Sequence, residues 1–326
     1  MNIVFLGTSA GVPTKTRNVT GIAVREERGN GWYLVDCGEG TQHQILHTNL
    51  SINALQAIFI THIHGDHCYG LPGILASAAM NGRKAPLKIM APSGVKEWVQ
   101  ATQQHTQLYL PYDIEFVCTD DLPSVEFRKV RVETVALSHR VPSYAYCFTE
   151  KDINPRLDVE KLERHNIPRR PHWGQLQKGQ DVELNGKLIH CEDYLLYDQN
   201  PQKIIVAGDN DQPELLAQIS HGASVLIHEA TYTKDLVEKS GNSYGHSYAE
   251  LVATFAEQAN IPNLVLTHFS PRYQANPNLS PSIADIYQEA KAHYSGNLFL
   301  ANDLDEYQLN KAGELKKDLG SDEKMF

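Results

Sequence analysis

Four residues of types that bind divalent metals fall within six positions of this chain: His62, His64, Asp66 and His67, in the run Thr61-His62-Ile63-His64-Gly65-Asp66-His67. Imidazole and carboxylate together suit zinc and similar ions. Gly65 is expected to supply backbone freedom for a tight loop that aims several ligands at one place. One such cluster cannot complete two coordination shells. His139, Asp209 and His268, each placed just after an apolar run, are the further candidates. Seven residues make two metal sites provided one carboxylate bridges, and Asp209 is the natural bridge. Two ions about 3.5–4 Å apart clamp the attacking and leaving oxygens of a phosphoester.

His228 and Glu229 are also of ligand type, but adding them would over-fill the sites. His246, just before a helical pattern, suits a general acid or hydrogen-bond donor, with Glu229 orienting it or raising its pKa. The chain has fifteen histidines. His43, His47, His105, His165, His172, His190, His221 and His293 read as structural or surface side chains.

The elements that must position these residues are short apolar strands. Residues 3–6, 21–25, 32–36, 57–61, 114–118, 130–137 and 144–148 read as strands, with a helix over 95–105. The second half repeats the theme with strands at 203–207, 224–227, 263–266 and 297–301. A helix over 247–259 has Ser247 as its expected N-cap and Glu250 three residues on. Strand after strand delivers His, Asp or Glu at its carboxyl end, which predicts two sheets packed face to face with helices outside.

The interval 151–195 breaks that rhythm with Pro168-Arg169-Arg170-Pro171, a turn at 179–181 and an Asn185-Gly186 turn, and reads as an inserted arm. Between 164 and 180 its charged residues are Arg164, Arg169, Arg170 and Lys178, a basic patch in a chain of formal charge −10. Residues 313–326 are polar and are expected to fray.

At 326 residues and 41% hydrophobic content the chain fits one large core or two modest domains. Its five cysteines are odd in number and have no CxxC spacing, which favours a reducing, cytoplasmic setting. No signal peptide or membrane span is expected.

These residues resemble the metallo-β-lactamase superfamily and, within it, the short-form tRNA 3′-processing endonucleases, RNase Z or RNase BN. The resemblance runs through residues 6–13, the PxKxRN loop at 13–18, Asp36-Cys37-Gly38-Glu39-Gly40-Thr41-Gln42, and THIHGDHCYGLPG at 61–73. It continues through Ser138-His139-Arg140, His228-Glu229-Ala230-Thr231, His246-Ser247 and His268-Phe269-Ser270-Pro271-Arg272-Tyr273. It implies a four-layer αββα metallo-β-lactamase sandwich over 1–326, with 151–195 as a flexible tRNA-binding arm.

The implied activity is an endoribonuclease that removes the 3′ trailer of pre-tRNA and leaves a 3′-hydroxyl, with accompanying 3′ exonuclease activity as an option. Two zinc ions per subunit are implied, with manganese as an alternative. His62, His64 and His139 would hold one and Asp66, His67 and His268 the other, bridged by Asp209. Asp66 would orient or deprotonate water, and His246 with Glu229 would assist the leaving oxygen. Lys15, Arg17 and Asn18 would sense the tRNA 3′ end, and Ser270, Arg272 and Tyr273 would hold phosphate. The family acts as a homodimer in which one subunit's arm clasps tRNA bound by the other. Where the family arm has a Gly-Pro step, this chain has Arg170-Pro171, which removes the freedom for positive φ and adds a charge. A small-ester hydrolase of the same fold and a non-catalytic RNA-binding module are the competing readings.

Overall fold

The computed structural model describes residues 1–318 except 28, 152–154, 197–199 and 241–243, and the side chain of Ser240. The chain divides into two compact units, one made of Met1–Thr149 with Gln202–Phe326 and the other of Glu150–Pro201.

Period-two burial organises the larger unit. In the strand Asn2–Gly7, Ile3 and Phe5 point to one face and Val4 and Leu6 to the other, and all four are buried. In Lys203–Ala207, Ile204 and Val206 share a core with Ile3 and Phe5, while Ile205 and Ala207 face away into a third core. Strands buried on both faces demand two layers of cover, and the sequence supplies them. An eight-stranded sheet and a seven-stranded sheet enclose the central core. The helices Leu71–Met80 and Val95–Thr106 cover the outer face of the first. Ala249–Gln258 and Ile283–His293 cover the second. This is the αββα sandwich. Each fully buried Leu, Ile or Phe contributes roughly 1.5–3 kcal/mol.

Both sheets have a parallel run: Trp32–Val35, Leu55–Phe59, Leu87–Ala91 and Ile114–Cys118 in one, and Lys203–Ala207, Val225–Glu229, Asn263–Thr267 and Asn297–Leu300 in the other. Parallel strands bring their carboxyl ends to one edge, where open α/β sheets bind ligands.

Several expectations are corrected. Ser247 does not cap the helix after it: the helix runs Ala249–Gln258, and Ser247 Oγ donates instead to the Asn210 carbonyl at 2.6 Å. The first amides of the helix are met elsewhere, Ala249 N–H by the Tyr232 carbonyl at 3.0 Å and Glu250 N–H by Glu289 Oε1 at 2.9 Å, which leaves Ser247 for the buried Asn210 carbonyl. Leu315–Lys317 does not fray but pairs with Glu306–Leu309, driven by burial of Leu315; residues 319–326 lie outside the described part. The helix Ile283–His293 carries a Ser282/Asp285 capping box that strand-centred reading passed over.

The smaller unit has its own core of Leu162, Ile167, Leu176, Val182, Cys191, Tyr194 and Leu195. Asn185 and Gly186, both at positive φ, turn the hairpin of Val182–Leu184 and Lys187–Ile189. Arg170 has φ −123°, an extended conformation open to any residue, so arginine is accommodated there without strain.

Candidate metal centre

The strand Leu55–Phe59 leads into Thr61 and His62, and the helical turn Gly65–Cys68 carries Asp66 and His67. Gly65 lies outside the left-handed region. A Cβ there would sit 2.2 Å from the Tyr69 ring, which packs back over the turn, so a larger residue would have to turn that exposed ring aside. His139 follows Val130–Leu137, Asp209 follows Lys203–Ala207, and His268 follows Asn263–Thr267. His268 and Asp36 both hold φ of 59°, rare for non-glycine residues and fixed here by their surroundings.

The seven predicted ligands form two groups. Ligand atoms of His62, His64, His139 and Asp209 lie within 4.8 Å of one another, as do those of Asp66, His67 and His268. Asp209 divides its carboxylate between them. Oδ2 faces His62 Nε2 at 3.5 Å and His139 Nε2 at 3.7 Å, whereas Oδ1 faces His67 at 3.5 Å and His268 at 3.4 Å. Asp66 Oδ2 lies 3.5 Å from His67 Nε2 and 3.4 Å from His268 Nε2, and it accepts from Gly11 N–H at 2.7 Å.

Hydrogen bonding sets the imidazole tautomers. His139 Nδ1 faces the Gly245 carbonyl at 2.7 Å and His67 Nδ1 faces Asp36 Oδ2 at 2.7 Å; both acceptors require a proton on Nδ1. Thr61 Oγ1 gives its one proton to Asp36 Oδ2, so it accepts from His62 Nδ1. Thr231 Oγ1 donates to Glu229 Oε2 and accepts from His268 Nδ1 in the same way. The Nε2 atoms of His62, His67, His139 and His268 thus turn inward, and His64 presents Nδ1. His67 and His268 meet Nε2 to Nε2 at 3.2 Å, while His62 and His139 approach His64 Nδ1 at 3.0 and 3.3 Å. Converging nitrogen lone pairs repel unless a positive charge lies between them, so this donor set fits metal cations.

Electrostatics agree. Burial, reinforced by His67 and His139, lowers the His62 pKa far below its ordinary value, the neutral state a ligand needs. Burial also acts to discharge His67, but Asp209, Asp66 and Asp36 outweigh it and raise that pKa. A cation would answer the same negative field. Burial pushes the Asp66 carboxyl up, yet His67 and His268 hold it well below the carboxylate range.

His228 is no ligand: its Nε2 bonds Asn210 Nδ2 at 3.0 Å and its Nδ1 bonds its neighbour's carbonyl at 2.8 Å. Glu229 is buried and accepts from Asn210 N–H at 2.9 Å and from His246 Nδ1 at 3.0 Å. His246 also lies 3.7 Å from Asp209 Oδ2.

The expected substrate contacts separate into two kinds. Lys15 and Arg272 are exposed. Arg17 turns inward, donating to Thr8 Oγ1 at 2.6 Å, the Ala301 carbonyl at 2.8 Å and Asn302 Oδ1 at 2.9 Å, with its guanidinium over Phe269. Asn18 is spent on the Glu39 carbonyl, Tyr273 OH on Thr233, and Ser270 is buried, accepting from Arg272 N–H. Arg17 and Asn18, expected to sense the tRNA 3′ end, and Ser270 and Tyr273, expected to hold phosphate, each make these contacts within the loops. In the smaller unit Arg164, Arg170 and Lys178 are exposed, while Arg169 pairs with Glu163 at 2.7 Å and covers Trp173.

Sequence reasoning missed Asp36, Thr61, Thr231 and Asn210, which orient the ligands and Glu229. Asp36 stands in a motif that was noticed, but nothing in the spacing ties it to partners 25 and 31 residues away.

The chain is 52% identical over 320 residues to a ribonuclease Z of Pseudomonas putida (strain W619), spanning 98% of this chain and 100% of that one. It is 37% identical over 313 residues to a ribonuclease BN of Proteus mirabilis (strain HI4320), spanning 95% and 100%. Among solved structures, human tRNase Z, short form, is similar with a TM-score of 0.64 at 25% identity, covering 95% of this chain and 100% of that one. The metallo-β-lactamase fold protein YhfI of Bacillus subtilis, with a TM-score of 0.63 at 17% identity over 97% and 98% of the two chains, shares the fold. The profile of a family described as Anti-Pycsar protein Apyc1 matches residues 1–153. That stretch carries the ligands up to His139 and stops before Asp209, Glu229, His246 and His268.

Proposed function

Because the chain belongs to the ribonuclease Z family, we propose that its two ligand groups form the hydrolytic centre of a tRNA 3′-processing endonuclease and that each of its side chains has an assignable task. The enzyme removes the 3′ trailer from precursor tRNA. The observation that carries the site assignment is the division of Asp209, one oxygen toward each histidine group.

His62, His64 and His139 would hold one zinc ion and Asp66, His67 and His268 the other, with Asp209 between; manganese suits the same donors. Such ions supply Lewis-acid charge against phosphodiester oxygens and lower the pKa of water toward neutrality. Asp66, whose Oδ2 is fixed by the Gly11 N–H, would accept a hydrogen bond from the attacking water and so aim its lone pair at phosphorus. His246 holds a proton, with Nδ1 anchored on Glu229 Oε1, and delivers a proton to the leaving oxygen. Cleavage that leaves a 3′-hydroxyl on the tRNA makes that oxygen the O3′ of the last tRNA nucleotide. Arg272 and Lys15, both exposed, neutralise phosphate at the mouth.

The unit Glu150–Pro201 serves as the tRNA-binding arm through Arg164, Arg170 and Lys178, acting within a homodimer. The fold carries no described helix long and apolar enough to cross a membrane, and all five cysteines are free, which suits a cytoplasmic setting. Asp66→Ala tests the centre: cleavage of 3′-extended pre-tRNA should fall by at least about 100-fold, and unchanged cleavage would remove the proposed mechanism.

A further inference from the structure

The rim beside His246 carries an arginine and a tyrosine that the steps above leave without work. Arg140 directly follows the ligand His139. Tyr244 directly precedes Gly245, whose carbonyl accepts the His139 Nδ1 proton at 2.7 Å. That bond joins two loops from distant parts of the chain and sets the Arg140 guanidinium 5.8 Å from the centroid of the Tyr244 ring. Neither side chain is used by the core: Tyr244 is 54% exposed and Arg140 is exposed. Among the described residues no acidic side chain pairs with Arg140, in a chain of net charge −10 where carboxylates are plentiful. A planar guanidinium over one face of a half-exposed tyrosine ring, at the mouth of a phosphodiesterase site, offers a fork for a phosphate beside a π surface for a base.

Chemical polarity says which nucleotide they meet. His246, two residues beyond Tyr244, donates to the leaving oxygen, and that oxygen is the O3′ of the last nucleotide of the tRNA. The attacking water enters from the opposite side of phosphorus. The side of the site held by His246 is therefore the tRNA side, not the trailer side. We propose that Arg140 and Tyr244 form the subsite for the nucleotide that bears the leaving 3′-oxygen, with Tyr244 stacking its base and Arg140 holding the phosphate on its 5′ side. This rests on the endonuclease reading above and on His246 as proton donor. Stacking uses the π face that every base has, so the subsite grips this nucleotide without selecting its identity.

The test uses two pre-tRNAs identical except for an abasic ribose at that nucleotide, cut by the wild-type protein and by Tyr244→Ala, Tyr244→Phe and Arg140→Ala. Tyr244→Ala should lower kcat/KM about tenfold on the natural RNA, within the range of base–aromatic stacking, and less than about twofold on the abasic one. Tyr244→Phe keeps the ring and should match wild type on both. Arg140→Ala should flatten the slope of log kcat/KM against log salt by about 0.7, the loss of one phosphate contact on a single strand. Equal losses for Tyr244→Ala on both RNAs would mean that the ring merely holds Gly245 against His139, and would overturn the subsite, as would an unchanged salt slope in Arg140→Ala. Wild-type protein that cuts neither RNA overturns the endonuclease reading itself, an outcome separate from a failure of the variants alone.

Discussion

Glu229 Oε1 accepts a hydrogen bond from His246 Nδ1 at 3.0 Å, a buried carboxylate against an imidazole that is 15% exposed at the site's rim. Burial opposes charge on His246, but Glu229 and Asp209 outweigh it and raise its pKa to about 9. The donating form is therefore full below that value and is lost as pH rises through it. The rate should fall on an alkaline limb centred near pH 9. In Glu229→Gln the limb should move toward the ordinary histidine value of about 6.5, costing roughly 10- to 30-fold at pH 8. A limb that stays near 9 in the variant would disconnect Glu229 from the proton donor.

Asp36 reaches both ligand groups at once. Its Oδ1 accepts from Thr61 N–H at 2.7 Å, and its Oδ2 accepts from Thr61 Oγ1 at 2.8 Å and from His67 Nδ1 at 2.7 Å. Asp36→Asn replaces an acceptor by a donor and lets the His67 and His62 tautomers reverse. Metal affinity should fall about 10- to 100-fold. Competition with a chromophoric chelator reads this directly, and wild-type retention in the variant would contradict the orienting role.

Gly208 stands next to the shared carboxylate. A Cβ there would lie 2.6 Å from Thr61 Cβ and 2.9 Å from Ser143 Oγ. Gly208→Ala should destabilise the fold by about 1–3 kcal/mol, and it should weaken metal binding because Thr61 orients His62. Thermal melts with and without zinc separate the two effects; an alanine variant as stable as wild type and equally tight for zinc would refute both.

The arm leaves and rejoins the sheet between paired residues, since Thr149 lies opposite Lys203 in register. Replacing 150–201 by a short glycine-containing turn, which keeps Gln202 on the Leu309 and Asn310 carbonyls, should therefore preserve the sheet. The deletion should lose pre-tRNA cleavage by about 100-fold or more while still turning over a chromogenic phosphodiester, because each lost phosphate contact adds to the deficit. Undiminished pre-tRNA cleavage would free the arm from substrate binding and favour a small-ester enzyme.

Much of this was legible in the residues. Apolar runs marked the strands because strands buried on both faces are continuous in hydrophobicity, and ligands stood at their ends because parallel strands share a carboxyl edge. The HxHxDH cluster was local and so announced itself. Asp36, Thr61 and Thr231 did not, because single hydroxyls and carboxylates acquire their role only through partners far away in the chain. Arg17 shows the complementary failure: sequence reports a charge but not the direction in which it points, and Thr8, Asn302 and Phe269 draw this one inward. The small core of Leu162, Ile167 and Leu176 was hidden by the turn residues and basic charge around it.

The central claim is that two cations share Asp209 to cut one phosphodiester of pre-tRNA, and the most direct measurement combines metal counting with cut mapping. Purified wild-type protein should bind two zinc ions per subunit and convert a 3′-extended pre-tRNA to a tRNA with a 3′-hydroxyl and a trailer with a 5′-phosphate, and Asp209→Ala should lose both bound metal and cleavage. A wild-type protein that leaves the RNA intact with either zinc or manganese, or an Asp209→Ala variant that cuts at the wild-type rate, would contradict the account.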